Sequence, residues 1–300
     1  MSSSSKPDSH PFRSAEARER YLDFYEQQAA KWPVPSETRV VHTDDGETFV
    51  RICGPSDGAP LVLLPAGRTP AMCWIPLIEA LSEESRIYAV DAIYDDGRSV
   101  SSRPVKTTGD AIGWLDRLFD ALGLDAGINL MGISFGGWLS AEYVLHAPER
   151  LAKVVWLSPA GVVLPMSGEF IARSMVCLIP SERAFRWVTR WIMEDAAKSE
   201  PRFFDDAVAE MALSEKCFKF RMWPGGGPRK LSDDELRSIE LPVLYLVGEN
   251  ERICDPQEAT SRLKEVAPQI RSVVIAGAGH DALWVQTEAV GQSVMHFLGP

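Results

Sequence analysis

The sequence predicts an α/β protein in which a mostly parallel sheet is covered by helices on both faces. Short runs made only of apolar residues alternate with helical patterns along most of the chain. A strand buried on both faces is apolar throughout, and this alternation is typical of parallel sheets. The composition, 45% hydrophobic and 24% charged residues, is that of a globular protein. A length of 300 residues accommodates one large domain with an insertion.

Eight segments have the pattern of strands. The first two flank Asp44-Asp45-Gly46 and are predicted to form a hairpin. The other six are short apolar runs, as expected of strands between two layers of helices. The predicted strands are 38–43, 48–52, 61–64, 87–90, 128–131, 154–157, 243–247 and 273–275.

Helical patterns lie between the strands. The clearest covers 108–122, where apolar residues recur at helical spacing and Gly123 follows as a predicted C-cap. Further helices are predicted over 135–146, 257–266 and 284–297.

The stretch from 162 to 237 interrupts this alternation. It has no strand pattern, several helical segments and a Gly-rich run at 224–228 that has the composition of a flexible linker. We interpret it as a helical insertion folded over the sheet. The core is then 38–161 plus 238–300, and 1–37 is an N-terminal tail with a leading helix. The insertion is rich in aromatic residues, most of them expected in its own core and two or three in a pocket: Phe170, Phe185, Trp187, Trp191, Phe203, Phe204, Phe218, Phe220 and Trp223.

Charge and cysteine usage exclude several classes of protein. The net charge of −11 argues against binding to nucleic acid or to an anionic membrane. No apolar run approaches the ~18 residues of a membrane span, and the Ser-rich start has no apolar signal segment. Five widely spaced cysteines without C-x-x-C favour reduced thiols, with neither a metal nor a disulfide framework. We therefore expect a cytoplasmic protein.

Gly132-Ile133-Ser134-Phe135-Gly136 matches the G-x-S-x-G motif of a nucleophile. It follows a predicted strand and begins a predicted helix, which is the setting that the motif requires. Glycines on both sides allow the strand and helix to pass closely, and the helix N-terminus supplies N–H groups near the serine. Ser134 is therefore the candidate nucleophile.

A serine hydroxyl needs a base, and His280 is the candidate. It follows the last predicted strand, at the end of the sheet where α/β proteins place reactive groups. His146 and His296 lie within predicted helices and are expected to be structural or exposed.

The histidine in turn needs a carboxylate partner. Three acids follow the strand at 243–247, namely Glu249, Glu251 and Asp255. Asp255 precedes a proline and a helix, so its simplest role is an N-cap. We favour Glu251, which lies farther into the loop than Glu249, with Glu249 second and Asp255 third.

The order Ser134, Glu251, His280 resembles that of the α/β-hydrolase superfamily, in its cap-bearing, carboxylesterase-like branch of serine hydrolases. The resemblance extends from residue 38 to the C-terminus and rests on the serine motif, on Gly248-Glu249-Asn250-Glu251 and on Ala278-Gly279-His280. It implies an α/β-hydrolase fold: an eight-stranded, mostly parallel sheet with a helical cap between strands six and seven. The family usually has Asp where this chain has Glu251.

The resemblance also implies an oxyanion hole made of backbone N–H groups. The expected donors are Phe135, directly after the nucleophile, and Arg68, in the loop after the third strand. There Ala66 replaces the usual histidine of the family. If the Arg68 side chain faced the pocket, it could pair with a substrate carboxylate. The alternative is an arginine that faces solvent or pairs with a structural acid.

The expected function is hydrolysis of a carboxylic ester, or of a related lactone or thioester, without a cofactor. The expected partner is a small ester-type molecule. A lyase, a carbon–carbon hydrolase and a non-hydrolytic ligand receptor remain alternatives, because they share this fold or triad. Five tryptophans near the motifs or in the insertion are candidate pocket walls, although core packing is an alternative for each: Trp74, Trp138, Trp187, Trp191 and Trp284.

Overall fold

The computed structural model describes residues 11–179, 181–219 and 224–299. The tail before residue 11 and the aromatic residues Phe220 and Trp223 lie outside the described residues.

A single sheet runs through the protein in the order β1-β2-β4-β3-β6-β7-β8-β9. The β1–β2 and β2–β4 pairs are antiparallel, whereas β4, β3, β6, β7, β8 and β9 are parallel neighbours. The predicted fold class is therefore confirmed, and a two-residue strand, β5, was not predicted. The strands are β1 (Ser36–Thr43), β2 (Gly46–Cys53), β3 (Ala59–Leu64), β4 (Ser85–Val90), β5 (Val100–Ser101), β6 (Ile128–Ile133), β7 (Leu151–Leu157), β8 (Val243–Gly248) and β9 (Arg271–Ile275).

Helices cover both faces of the sheet. The helix predicted at 108–122 has those bounds: Thr107 and Asp110 form a capping box, and Gly123 ends it in the left-handed region. The helix predicted at 284–297 is instead divided at Gln286. The helices are α1 (Ala15–Ala29), α2 (Ile75–Leu81), α3 (Thr108–Leu122), α4 (Phe135–His146), α5 (Gly168–Ser174), α6 (Glu182–Ile192), α7 (Glu194–Ser199), α8 (Pro201–Cys217), α9 (Asp233–Arg237), α10 (Pro256–Val266), α11 (Ala282–Val285) and α12 (Thr287–Leu298).

The core consists of two hydrophobic clusters, one on each face of the sheet. Alternate residues of β3 enter different clusters: Val62 and Leu64 pack on one side, Leu61 and Leu63 on the other. This explains why the central strands are apolar throughout. Among the described helices, none is long and apolar enough to cross a membrane.

The segment between β7 and β8 contains helices α5 to α9. The N-terminal segment is joined to it, because Phe12 forms a β-bridge with Phe218 and the Arg13 N–H donates to Cys217 O at 2.8 Å. Phe12 and Arg13 are thus held against the end of α8.

The Gly-rich run at 224–228 is a packed turn, not the flexible linker that its composition predicted. The Gly225 N–H donates to Lys106 O at 2.8 Å. A Cβ at Gly225 would lie 2.4 Å from Thr108 Oγ1, and its φ is +64°. The glycine is needed here for close contact with the start of α3.

Candidate active site

Ser134 lies between β6 and α4 in a conformation that non-glycine residues rarely adopt, with φ 52° and ψ −110°. Backbone hydrogen bonds hold it there. Its N–H donates to Leu157 O at 3.0 Å, and its carbonyl oxygen accepts the Ala160 N–H at 2.9 Å. The strain is therefore borne by contacts with β7 and the residues after it.

The two glycines of the serine motif are required by close backbone contacts. A Cβ at Gly132 would lie 2.1 Å from Gly136 O, and one at Gly136 would lie 2.3 Å from Leu64 O. Larger residues would force β6, α4 and β3 apart. The sharp turn that presents Ser134 thus depends on both glycines.

His280 and Glu251 meet at the ends of the neighbouring strands β9 and β8. Glu251 Oε2 lies 2.9 Å from His280 Nδ1. Glu251 Oε1 accepts the backbone N–H groups of Arg252 and Ile253, each at 2.9 Å. Both oxygens of this buried carboxylate are therefore bound, and one of them orients the imidazole.

The other candidate acids and bases have different partners. Glu249 Oε2 accepts the Gly277 N–H at 3.0 Å. Asp255 caps α10 by accepting the Glu258 N–H at 2.8 Å, as its position before a proline predicted. His146 Nε2 lies 2.8 Å from Asp116 at the protein surface. The structure thus brings Glu251 to His280.

The electrostatics of the pair favour an ionised acid. Burial raises the pKa of Glu251, but the charge and hydrogen bond of His280 and the two backbone N–H groups outweigh it, so the net pKa is lowered. Burial lowers the pKa of His280, but the Glu251 and Asp281 carboxylates outweigh it, so that pKa is raised. With an ionised Glu251 at Nδ1, a neutral His280 keeps its proton there and has Nε2 as the basic nitrogen.

Ser134 and His280 line one cavity of about 430 Å³ beneath the segment between β7 and β8. Most of its lining is apolar. Phe135, Arg68 and Trp284, three of the predicted site residues, also line it. The main apolar walls come from Met166, Phe170, Phe185, Val188, Ile192, Met211, Phe218 and Ile253.

Two of the five predicted pocket tryptophans belong to the core. Trp74 and Trp138 are fully buried, one in each hydrophobic cluster. Trp138 also donates from Nε1 to Glu142 at 3.2 Å. The prediction that they line the pocket is wrong, because both side chains are packed into the hydrophobic core.

Trp187 and Trp191 are likewise not pocket walls. Trp187 lies on the outer face of α6 and is 51% exposed. The guanidinium of Arg173 stacks on the rings of both tryptophans, 4.4 and 4.7 Å from their centroids. Of the five, Trp284 lines the cavity.

The cavity-lining residues of α6, of which the sequence analysis named only Phe185, follow a detectable pattern. Phe185, Val188, Thr189 and Ile192 are spaced i, i+3, i+4 and i+7, which defines one face of a helix. All four line the cavity, and Trp187 lies outside that face. Helical phase, rather than aromatic content, is the signal that would have found these walls.

The structure also corrects the predicted role of Arg68. Its backbone N–H donates to Asp95 Oδ2 at 2.8 Å, so this N–H is engaged and does not serve as an oxyanion donor. The Arg68 guanidinium donates to Glu215 Oε2 at 2.7 Å and lies 3.7 Å from Asp96. The side chain faces the cavity, as one interpretation held, but structural acids already pair with it.

No grouping of three or more His, Cys, Asp or Glu side chains suited to a metal ion occurs in the part of the chain that the structure describes. Cys53, Cys73 and Cys217 are buried free thiols, and Cys177 and Cys254 are half-buried free thiols.

Comparison with known proteins shows the family to which the chain belongs. The model of the alpha/beta hydrolase family matches residues 61–292. The chain belongs to this family. The present α/β hydrolase is 32% identical over 291 residues to carboxylesterase YbfK of Bacillus subtilis, covering 97% of each chain. It is also 32% identical over 278 residues to the uncharacterized carboxylesterase nap of the same organism, covering 93% of this chain and 92% of that protein.

A similar relationship holds in three dimensions. The crystal structure of naproxen esterase (carboxylesterase NP) from Bacillus subtilis matches this α/β hydrolase with a TM-score of 0.87 and 30% identity. The match covers 96% of this chain and 100% of that one. The likeness therefore includes the helical segment between β7 and β8 as well as the sheet.

Proposed function

We propose that this α/β hydrolase cleaves carboxylic esters with Ser134 as nucleophile, His280 as base and acid, and Glu251 as the carboxylate that orients His280. One observation carries the proposal. Ser134 lies on a strained turn and lines the same cavity as His280, whose other ring nitrogen is paired with Glu251. The carboxylesterase names of the relatives support the choice of an ester as substrate.

The first half of the reaction forms an acyl-enzyme. Ser134 Oγ attacks the acyl carbon while His280 Nε2 accepts its proton. The imidazolium then gives this proton to the alcohol oxygen as the ester C–O bond breaks. In the second half, water attacks the acyl carbon, His280 takes the water's proton and returns it to Ser134 Oγ, and the acid is released.

The negative charge that develops on the acyl oxygen needs donors in fixed positions. We propose the Phe135 N–H as one of them, because Phe135 directly follows Ser134 and begins α4. The positive end of the α4 dipole favours the same charge. The N–H of Arg68 is held by Asp95 and is not part of the proposal.

The cavity suggests a substrate with a compact apolar group. Its walls are mostly apolar, and its volume is about 430 Å³. We propose that residues 162–237 act as a cap that provides much of this wall and keeps water from the developing charge. Since Glu215 and Asp96 neutralise Arg68, a free carboxylate on the substrate is not favoured.

The test is a panel of p-nitrophenyl esters of increasing acyl length, with a lactone and a thioester for comparison. Wild-type protein should hydrolyse the esters and react with a fluorophosphonate at Ser134. The variant Ser134→Ala should lose both properties and keep its melting temperature. Hydrolysis by Ser134→Ala at a tenth of the wild-type rate would show that another residue is the nucleophile. A silent wild-type protein would favour a non-hydrolytic ligand receptor.

A further inference from the structure

The residues next to the proposed acid and base contact one short stretch of the cap. Asn250 and Arg252 flank Glu251, and Asp281 follows His280. The side chains of all three reach residues 191–196, at the junction of α6 and α7. We call these contacts the clasp.

Asp281 forms the most buried part of the clasp. Its side chain is fully buried. Its Oδ2 accepts the Ala196 N–H at 2.7 Å, and its Oδ1 accepts the Gly279 N–H at 3.1 Å. One carboxylate therefore joins the first turn of α7 to the residues on both sides of His280.

Arg252 and Asn250 form the second part. The Arg252 guanidinium donates to Trp191 O at 3.1 Å and pairs with the Glu194 carboxylate. Asn250 Nδ2 donates to Asp195 Oδ2 at 3.0 Å. Since the backbone N–H of Arg252 also donates to Glu251 Oε1, the same residue contacts both the acid and the cap.

We propose that the start of α7 positions the acid–base pair through the clasp, with Asp281 as the positioning residue for His280 and Arg252 as that for Glu251. This inference rests on the proposed function. A displacement of the cap at this junction would move the loops after β8 and β9, and small displacements of catalytic groups cost rate. The cap then controls turnover even of substrates too small to touch its walls.

The charges of Asp281 and Arg252 distinguish a positioning role from simple support of the fold, because they should shift the pKa of His280 in opposite directions. Asp281 adds negative charge beside His280, whereas Arg252 adds positive charge beside Glu251. The other charged groups around this junction are Glu194, Asp195 and Lys198 of α7, together with Glu251. Removing the negative charge of Asp281 disfavours the imidazolium form of His280 and so lowers its pKa. Removing the positive charge of Arg252 favours the imidazolium form and so raises that pKa.

The experiment measures kcat and KM for p-nitrophenyl acetate across pH for Asp281→Asn and Arg252→Gln. We expect the plateau kcat to fall about tenfold in both variants with little change in KM, because positioning and not binding is lost. The acidic limb of kcat/KM should move to lower pH in Asp281→Asn and should not do so in Arg252→Gln. If the two residues only supported the fold, the acidic limbs of the two variants would not differ in this way.

The matched control is Asp205→Asn, which breaks the exposed Arg186–Asp205 pair between α6 and α8 inside the cap. It should leave kcat unchanged. Rates are expressed per fluorophosphonate-reactive site, so that unfolded protein does not contribute to the measured kcat. If Asp281→Asn does not fold, the result for Arg252→Gln tests the inference. Wild-type plateau kcat in the folded variants would overturn the inference. Activity in Ser134→Ala would instead overturn the proposed function, so the two failures are distinguishable.

Discussion

Glu251 Oε2 lies 2.9 Å from His280 Nδ1, although the two residues are 29 positions apart in the chain. Their loops approach so closely that a Cβ at Gly248 would lie 2.2 Å from Gly279 O. The Asn250 N–H also donates to Ala278 O at 2.8 Å. The backbone of the two loops therefore determines the position of the carboxylate relative to the imidazole.

The variant Glu251→Gln should lower kcat by about 10²-fold or more, because the orientation of His280 and the charge that stabilises its imidazolium are both weakened. His280→Ala should be worse, since the base itself is lost. Initial rates with p-nitrophenyl acetate measure both effects.

Glu249→Gln and Asp255→Asn are the matched controls for Glu251→Gln, because they change acids in the same loop that bind the Gly277 and Glu258 N–H groups. Both should stay near wild-type kcat. If Asp255→Asn reduced kcat the most while its melting temperature stayed unchanged, the assignment of Glu251 would be wrong.

Activity should rise with pH through the titration of His280, because the proposed base must be neutral. The nearby carboxylates raise its pKa above the usual value of 6.5, so the acidic limb of kcat/KM should lie above that pH. In Glu251→Gln the limb should move to lower pH, at a reduced plateau, because the charge that favours the imidazolium is gone. A limb that moved to higher pH would contradict this electrostatic account.

Two aromatic residues of the proposed cap should differ in their effect on substrate preference. Phe170 lines the cavity, whereas Trp187 lies on the outer face. Phe170→Ala should raise KM about tenfold for esters of bulky acids and little for acetate esters, because apolar burial is lost. Trp187→Ala, a larger truncation, should leave this preference unchanged. Melting temperatures are measured for both variants as a control for unfolding. Equal acyl preferences in the two variants would contradict the assignment of Phe170 to the substrate pocket.

Asp45 should contribute to stability through its ion pairs with Arg103 and Arg117. It is 1% exposed, accepts hydrogen bonds from Arg103 at 3.0 and 2.6 Å, and also pairs with Arg117. Burial raises the pKa of Asp45, but the two arginines outweigh it and the net pKa is lowered. Asp45→Asn should cost about 2 kcal/mol of unfolding free energy at pH 7, as for the loss of hydrogen bonds to a charged group.

The pH dependence of stability and a variant of the neighbouring Asp44 test the prediction for Asp45. Because its folded pKa is below the unfolded value of 3.8, the stabilisation is present above that value and is lost as pH falls through the folded pKa. The difference between wild type and Asp45→Asn should therefore shrink in acid. Asp44→Asn, at the exposed adjacent position, should have little effect in urea unfolding, and an equal loss there would refute the role of burial.

Local patterns in the sequence were sufficient for the sheet and for the serine turn. Apolar runs predicted six of the strands, and central strands such as β6 and β8 are buried on both faces. The Asp44-Asp45-Gly46 turn predicted the hairpin of β1 and β2, although β1 is mostly exposed. The two motif glycines predicted the close contacts at Gly132 and Gly136. Asp255 could be distinguished from Glu251 as the partner of His280, because a carboxylate that precedes a proline and a helix is expected to be the N-cap of that helix.

Contacts between distant residues could not be predicted in this way. The backbone N–H of Arg68 donates to the side chain of Asp95, which is 27 positions away in the chain. No sequence pattern near Arg68 indicates this hydrogen bond. Trp187 and Trp191 were selected for aromatic content, but the phase of α6 directs Trp187 outward. The docking of Phe12 on Phe218 depends on two segments that meet only in the folded chain.

The most direct test of the central claim is the mass of the intact protein after brief reaction with a p-nitrophenyl ester and an acid quench. We predict that wild-type protein gains the mass of one acyl group and that peptide mapping locates it on Ser134. The variant Ser134→Ala should gain none. Ester hydrolysis by wild-type protein with the acyl group on another residue, or undiminished acylation of Ser134→Ala, would contradict the account.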